Sequence, residues 1–240
     1  MMLTRRQLLA CACCGTAAIT MGSSEAVAAG RGVPVPRGTR IIDVHAHLYV
    51  RDYLARAAEF GLWRPGYVGP AASRRSVAPA IPEYGDDGDA ALASRVALMD
   101  AAGVREQVLS PTVAPYSTDL DGAVQAARML NDRYSAVVRV SAGRLSAFVS
   151  LPLPHVPAAI EELRRGLDQL GMIGVAMHAS CLGESIAADR FEPIFAEINA
   201  RRAALFVHPA VGGLSSPLIN VWGLAAAAGP LFEDATIALH

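Results

Sequence analysis

The amino-acid sequence predicts an α/β fold of the (β/α) barrel type in which about the first five strands are present, and three observations predict it. Short apolar runs alternate with longer segments of helical periodicity. The runs are apolar throughout, as strands of a parallel sheet covered on both faces must be. No glycine-rich phosphate turn follows the first run, which argues against a dinucleotide-binding sheet.

In chain order, residues 1–28 read as a targeting segment outside the fold. Arg5 and Arg6 precede the apolar stretch "LLACACCGTAAITMG", and "AVA" at 26–28 supplies small residues for cleavage. This resembles a bacterial twin-arginine signal, so the protein is expected to be exported to the periplasm and the mature chain to begin near Ala29. That route carries folded proteins, often with a cofactor already inserted. The apolar stretch is too short and too rich in small residues for a membrane span, which needs about 20 strongly apolar positions. "LLAC" at 8–11 leaves no apolar core before its cysteine, which disfavours a lipoprotein cleavage box. Cys11, Cys13 and Cys14 fall inside the leader, so the mature chain keeps Cys181 alone and has no internal disulfide.

Residues 29–39 are a Pro/Gly-rich linker, and the partial barrel is expected over 40–240. Its strands are read at 40–48, 106–113, 145–153, 174–180 and 204–210, and its helices at 89–103, 120–143, 156–171 and 191–203. Several helices end in glycine, the usual stop at a left-handed residue. The segment 60–88 reads as a long insertion after the first strand, which in a barrel lies at the mouth of the site.

Charge excludes some partners. A chain of 240 residues with 52% hydrophobic and 18% charged residues and net charge −1 is globular, with basic residues scattered. Nucleic acid or an anionic membrane would favour a concentrated basic face, so neither is expected, and a small-molecule substrate is. Every one of the 21 basic residues is arginine, a pattern that base-composition bias explains.

The first run, "RIIDVHAHL", carries the chemistry. Strand alternation puts Asp43, His45 and His47 on one face, both imidazoles near the strand's C-terminal end. With 6 histidines in 240 residues, an H-x-H pair arises by chance roughly 0.15 times per chain, so the pair alone is weak evidence. The fifth run, "ALFVHPA", also ends in a histidine, His208, where a barrel strand opens into its site. One such residue is ordinarily a buried neutral histidine bonded to a carbonyl. Three at strand C-termini point to a metal: neutral imidazole suits zinc and neighbouring first-row divalent ions, and three ligands plus water form an open catalytic site.

These stretches carry a resemblance. "IIDVHAHL", "SAFVSLPLP", "ADRFEPIFAEINARRAALFVHP" and "FEDATIAL" resemble the amidohydrolase superfamily, in particular its aminocarboxymuconate-semialdehyde decarboxylase branch and the 6-methylsalicylate decarboxylases within it. The resemblance runs from about residue 40 to the last and implies a metal-dependent (β/α)8 TIM barrel. It matches the family's strand-one ligands to His45 and His47 and its strand-five ligand to His208. Many binuclear relatives bridge two metals with a carbamylated lysine on strand four, and this chain has no lysine, so one divalent ion, with zinc preferred, is expected. The family's histidine after strand six and aspartate after strand eight have no counterpart, which places the expected catalytic base beyond His240.

Other histidines are weighed individually. His178, in "GVAMHAS", is either near the substrate or a core histidine. Arg51, just past the first strand, is a candidate for a substrate carboxylate or a solvated loop charge. His155 and His240 receive no role. The resemblance implies decarboxylation of a small aromatic or unsaturated carboxylate. Hydrolysis of a lactone, amide or ester by the same ligand set, or metal binding without turnover, remain the alternatives. The roughly 210 residues after the leader fall short of the about 250 usual for such a barrel. The chain is therefore expected to be catalytically incomplete, or to be closed in trans by another copy in a homo-oligomer.

Overall fold

The apolar runs pair side by side because each needs cover on both faces, and helices return the chain between them. A computed structural model describes residues 38–208 apart from 58, 63–84 and 112. The targeting segment, nearly all of the linker, most of the insertion over 60–88, and the tail with "FEDATIAL" and His240 lie outside the described residues.

In chain order the elements are strand β1 (Ile42–His47), helix α1 (Arg51–Ala55), α2 (Asp89–Ala102), β2 (Glu106–Ser110), α3 (Leu120–Val140), β3 (Leu145–Ser150), α4 (Val156–Asp168) and β4 (Gly174–His178). A short hairpin of β5 (Ser180–Cys181) and β6 (Glu184–Ser185), a 3-10 turn (Asp189–Phe191), α5 (Glu192–Ala200) and β7 (Ala204–His208) follow. The five strands read from the apolar runs form one parallel sheet in the order β1-β2-β3-β4-β7, with successive strands adjacent, as in the first part of a (β/α) barrel. Helix α1 and the β5–β6 hairpin were not legible as elements: five and two residues are too few to show a period.

The helices start and stop where local chemistry requires. The Asp119 carboxylate accepts the Gly122 N–H at 2.9 Å and caps α3. Gly103, at φ 71°, closes α2 in the left-handed region. Gly166 of α4 lies so close to β3 that a Cβ there would come within 2.3 Å of Val149.

The sheet has two unlike faces. Toward the helices, Leu109, Val149, Val175 and Met177 pack with Leu130, Tyr134, Leu163 and Ile194 in the main core. Burying each such side chain contributes about 1.5–3 kcal/mol. On the inner face, Val108, Phe148 and Ala176 form a smaller cluster with Phe206, whose ring stacks on Phe148 at 5.4 Å. Cys181 is buried on β5. No helix among the described residues is long and apolar enough to cross a membrane.

One irregularity shapes the rim of the sheet. Asp43 pairs with Gln107 but Ala46 with Leu109, so β1 spends three steps where β2 spends two. The extra residue is a bulge, and it breaks the alternation of faces expected for Asp43, His45 and His47. Gln107 shares the helix side with Leu109, and the Asp43 carboxylate bonds the Gln107 side chain there. His45 instead turns to the inner face, beside Phe206, with ring centroids 5.4 Å apart.

Candidate metal centre

The inner face ends in polar groups at the C-terminal rim of the sheet. His47 closes β1 opposite Ser110, and His178 closes β4 opposite His208 on β7. The ring centroids of His45 and His47 are 5.0 Å apart, those of His45 and His208 5.1 Å, and those of His47 and His208 4.9 Å. One nitrogen from each of these three rings lies within 4.8 Å of the others. Among the described residues this is the one group of histidine, cysteine or carboxylate side chains close enough to hold a metal ion.

The nitrogens are presented in a usable form. His47 Nδ1 faces the Ser110 carbonyl oxygen at 3.1 Å and donates its proton there, which makes Nε2 the nitrogen that carries the lone pair. That Nε2 stands 3.2 Å from His208 Nε2. Two nitrogens sharing an ion at about 2.1 Å stand about 3.0 to 3.4 Å apart for right-angled to tetrahedral geometry, so this pair fits one ion. Burial, then the neighbouring His208 and His45, press the His47 pKa down to about 4, so its ring is neutral at neutral pH. Neutral imidazole is the form that binds metal.

His178 is close but stands outside the group of three. Its ring lies 5.2 Å from His208 and 5.6 Å from Tyr116, whose hydroxyl oxygen accepts the His178 backbone N–H at 2.9 Å. Burial first, then His208 and His47, lower its pKa to about 3. Its Nε2 is buried without a hydrogen-bond partner, and so is the Ser150 hydroxyl of β3. Both residues lie on the inner face, Ser150 two residues beyond Phe148 and His178 two beyond Ala176.

Arg51 is not brought to the imidazoles. Its side chain is 69% exposed and its guanidinium is paired with the Asp86 carboxylate, Nε to Oδ2 at 2.8 Å, which ties the start of α1 to the segment before α2. His155 precedes α4 with its Nε2 3.0 Å from the Ser117 carbonyl. Sequence reading passes over Ser110 and Tyr116, because one acts through a backbone carbonyl and the other from a loop.

Comparison with known proteins adds four matches. The model of the family described as Amidohydrolase matches residues 42–236. The chain is 32% identical to 2-amino-3-carboxymuconate-6-semialdehyde decarboxylase of Dictyostelium discoideum over 48% of this chain and 33% of that protein. It is 30% identical to gamma-resorcylate decarboxylase of Rhizobium sp. over 48% of this chain and 38% of that protein. The chain thus spans little more than a third of the length of these curated relatives. Among solved structures it resembles 5-carboxyvanillate decarboxylase of Novosphingobium aromaticivorans in complex with manganese and a nitrobenzoic acid, with TM-score 0.61 and 24% identity, over 79% of this chain and 56% of that one.

Proposed function

The chain belongs to the amidohydrolase family, and from that premise we propose that it serves a metal-dependent decarboxylase of a small aromatic or unsaturated carboxylate. The observation that carries this reading is the convergence of His45, His47 and His208, within 4.8 Å, at the rim of a parallel sheet. The Dictyostelium and Rhizobium relatives are decarboxylases of such carboxylates, which supports the substrate class.

In this reading the three imidazoles hold one divalent ion. When bound, the ion supplies a Lewis acid that draws electron density from a substrate oxygen. The chain's own residues do the rest. The Ser110 carbonyl fixes the His47 ring, and the stacked Phe148 and Phe206 rings present an apolar wall to an aromatic substrate. His178 offers a neutral, unpartnered nitrogen beside His208 for a polar group of the substrate. A carboxylate contact by Arg51 belongs to the same reading and requires its release from Asp86. Zinc is our assignment for the ion, from the all-imidazole donor set. Manganese, which the 5-carboxyvanillate decarboxylase structure carries, is the competing ion. Export by the leader over 1–28 completes the proposal, supported by Arg5 and Arg6 ahead of an apolar stretch and an A-x-A site.

One experiment tests these points together. The full-length chain is expressed, cytoplasm and periplasm are separated, and the recovered protein is measured for metal by mass spectrometry and for CO2 release from gamma-resorcylate and related carboxylates. The expected result is protein in the periplasm with about one zinc per chain and, where turnover occurs, CO2 release without incorporation of water oxygen. Water incorporation without CO2 would establish the hydrolase alternative. A protein that takes up no divalent ion would overturn the reading.

A further inference from the structure

Behind the rim, on the helix side of the sheet, a line of polar groups connects α2 to both histidines of β1. Arg95 of α2 is 6% exposed, although it lies in a helix with many solvated positions. Its Nη1 donates to Gln107 Oε1 at 2.9 Å, and its Nη2 donates to the carbonyl oxygen of His47 at 2.6 Å. Gln107 Nε2 in turn donates to Asp43 Oδ2 at 2.9 Å. The other carboxylate oxygen, Asp43 Oδ1, accepts the backbone N–H of His45 at 3.1 Å.

The polarity of this line is fixed by chemistry. Guanidinium only donates and carboxylate only accepts, so the Gln107 amide fits in one orientation, oxygen toward Arg95 and nitrogen toward Asp43. The line also answers a specific need. The bulge between Asp43 and Ala46 interrupts the β1–β2 ladder at His45, and its partly buried N–H left unpaired would cost up to about 1–3 kcal/mol. Asp43 satisfies it, Gln107 holds Asp43, and Arg95 holds both Gln107 and the carbonyl of His47.

We propose that Arg95, Gln107 and Asp43 are positioning residues whose polar relay sets the backbone angle at which His45 and His47 present their rings to the metal. This rests on the reading of His45, His47 and His208 as metal ligands. Bulges beside active sites commonly re-aim a side chain. Here the bulge turns His45 away from the side that Asp43 faces, and the relay holds the bulged backbone from both ends. Outer partners of this kind typically change metal affinity by about 10- to 100-fold.

The test is a double-mutant cycle on the full-length protein. Asp43→Asn alone puts an amide donor against the Gln107 amide donor. Gln107→Glu alone puts a carboxylate against the Asp43 carboxylate. Together the two changes restore the match: the new carboxylate at 107 accepts from Arg95 and from the new amide at 43, whose oxygen still accepts from His45 N–H. Two readouts are taken: zinc affinity by competition with a chromophoric chelator, and amide hydrogen exchange across His45–His47 in metal-free protein. Each single variant is expected to weaken zinc binding by about 10- to 100-fold and to speed exchange at His45, and the double variant to recover both. A double variant no better than the weaker single one in exchange, or singles indistinguishable from the native chain, would overturn the relay. A native chain that binds no zinc but shows the exchange rescue would instead overturn the ligand assignment and leave the relay standing.

Discussion

The three clustered histidines, His45, His47 and His208, come from the two outer strands of the described sheet, and the two strands deliver them by different means. β7 runs in unbroken register against β4, with Gly174, Val175, Ala176, Met177 and His178 pairing in turn with Ala204, Leu205, Phe206, Val207 and His208. The position of His208 follows from that register, and ring contacts with Phe206 and His178 surround it. β1 carries two of the clustered histidines two residues apart, and its ladder slips by one residue between Asp43 and Ala46, around the first of them. There the hydrogen bonds that a regular ladder would supply come from side chains, ending in a buried guanidinium on α2. His208 is carried by register alone, whereas the pair on β1 sits on a bent backbone with a side-chain brace.

The largest effect should come from removing a ligand on either side. His47→Ala and His208→Ala are each expected to lower zinc affinity by more than about 100-fold, beyond what loss of an outer partner costs. Isothermal titration of metal-free protein measures this, and a ligand variant that retains native affinity would remove that strand from the centre. The next largest should separate the strands. A Cβ on Gly174 would stand 2.5 Å from the Ala204 carbonyl oxygen, so Gly174→Ala must push β4 and β7 apart. It should cost about 1–3 kcal/mol of stability in denaturant melts and weaken zinc binding through His208. Exchange at His45 should stay native, and exchange at His45 rising as much as at β7 would show that the two strands are not independently held.

The smallest effect concerns pH. Behind β4 and β7, Glu197 of α5 accepts from Arg164 Nε at 3.0 Å and from Arg201 Nε at 2.5 Å. Arg164, then Arg201, hold its pKa down at about 2, below the ordinary 4.5. A depressed carboxylate contributes stability above its unfolded pKa and loses it as pH falls through the folded value. Thermal melts should therefore show this contribution whole above about pH 4.5 and fading toward pH 2, and Glu197→Gln should flatten that limb. An unchanged acid limb in the variant would show that the contact is too solvated to matter.

The difference between the strands also explains what could be read from the residues alone. The parallel sheet was legible because its strands are apolar along their length, and the histidines stood out because each ends such a run. The bulge was not, since an inserted residue leaves no mark in the spacing of H-x-H. Simple alternation accordingly put Asp43 on the same face as His45, whereas the structure puts its carboxylate with Gln107 on the helix side. Arg95 escaped notice because an arginine within a helical period ordinarily points to solvent. Its burial goes with tertiary partners, the His47 carbonyl and the Gln107 side chain, that a helical period does not reveal. Arg51 stood out by proximity along the chain, and Asp86, across the insertion, has claimed its guanidinium.

Cys181 carries a consequence for handling the molecule. Its side chain is buried on β5, and burial drives its pKa up to about 12, so at neutral pH almost none of it is thiolate. Since the thiolate is the reactive species, alkylating reagents and oxidants meet a silent sulfur for as long as the fold stays closed. The rate at which a maleimide finally marks the peptide around residue 181 is therefore a stopwatch for the opening of the ground beside His178, readable by mass mapping without any engineered label.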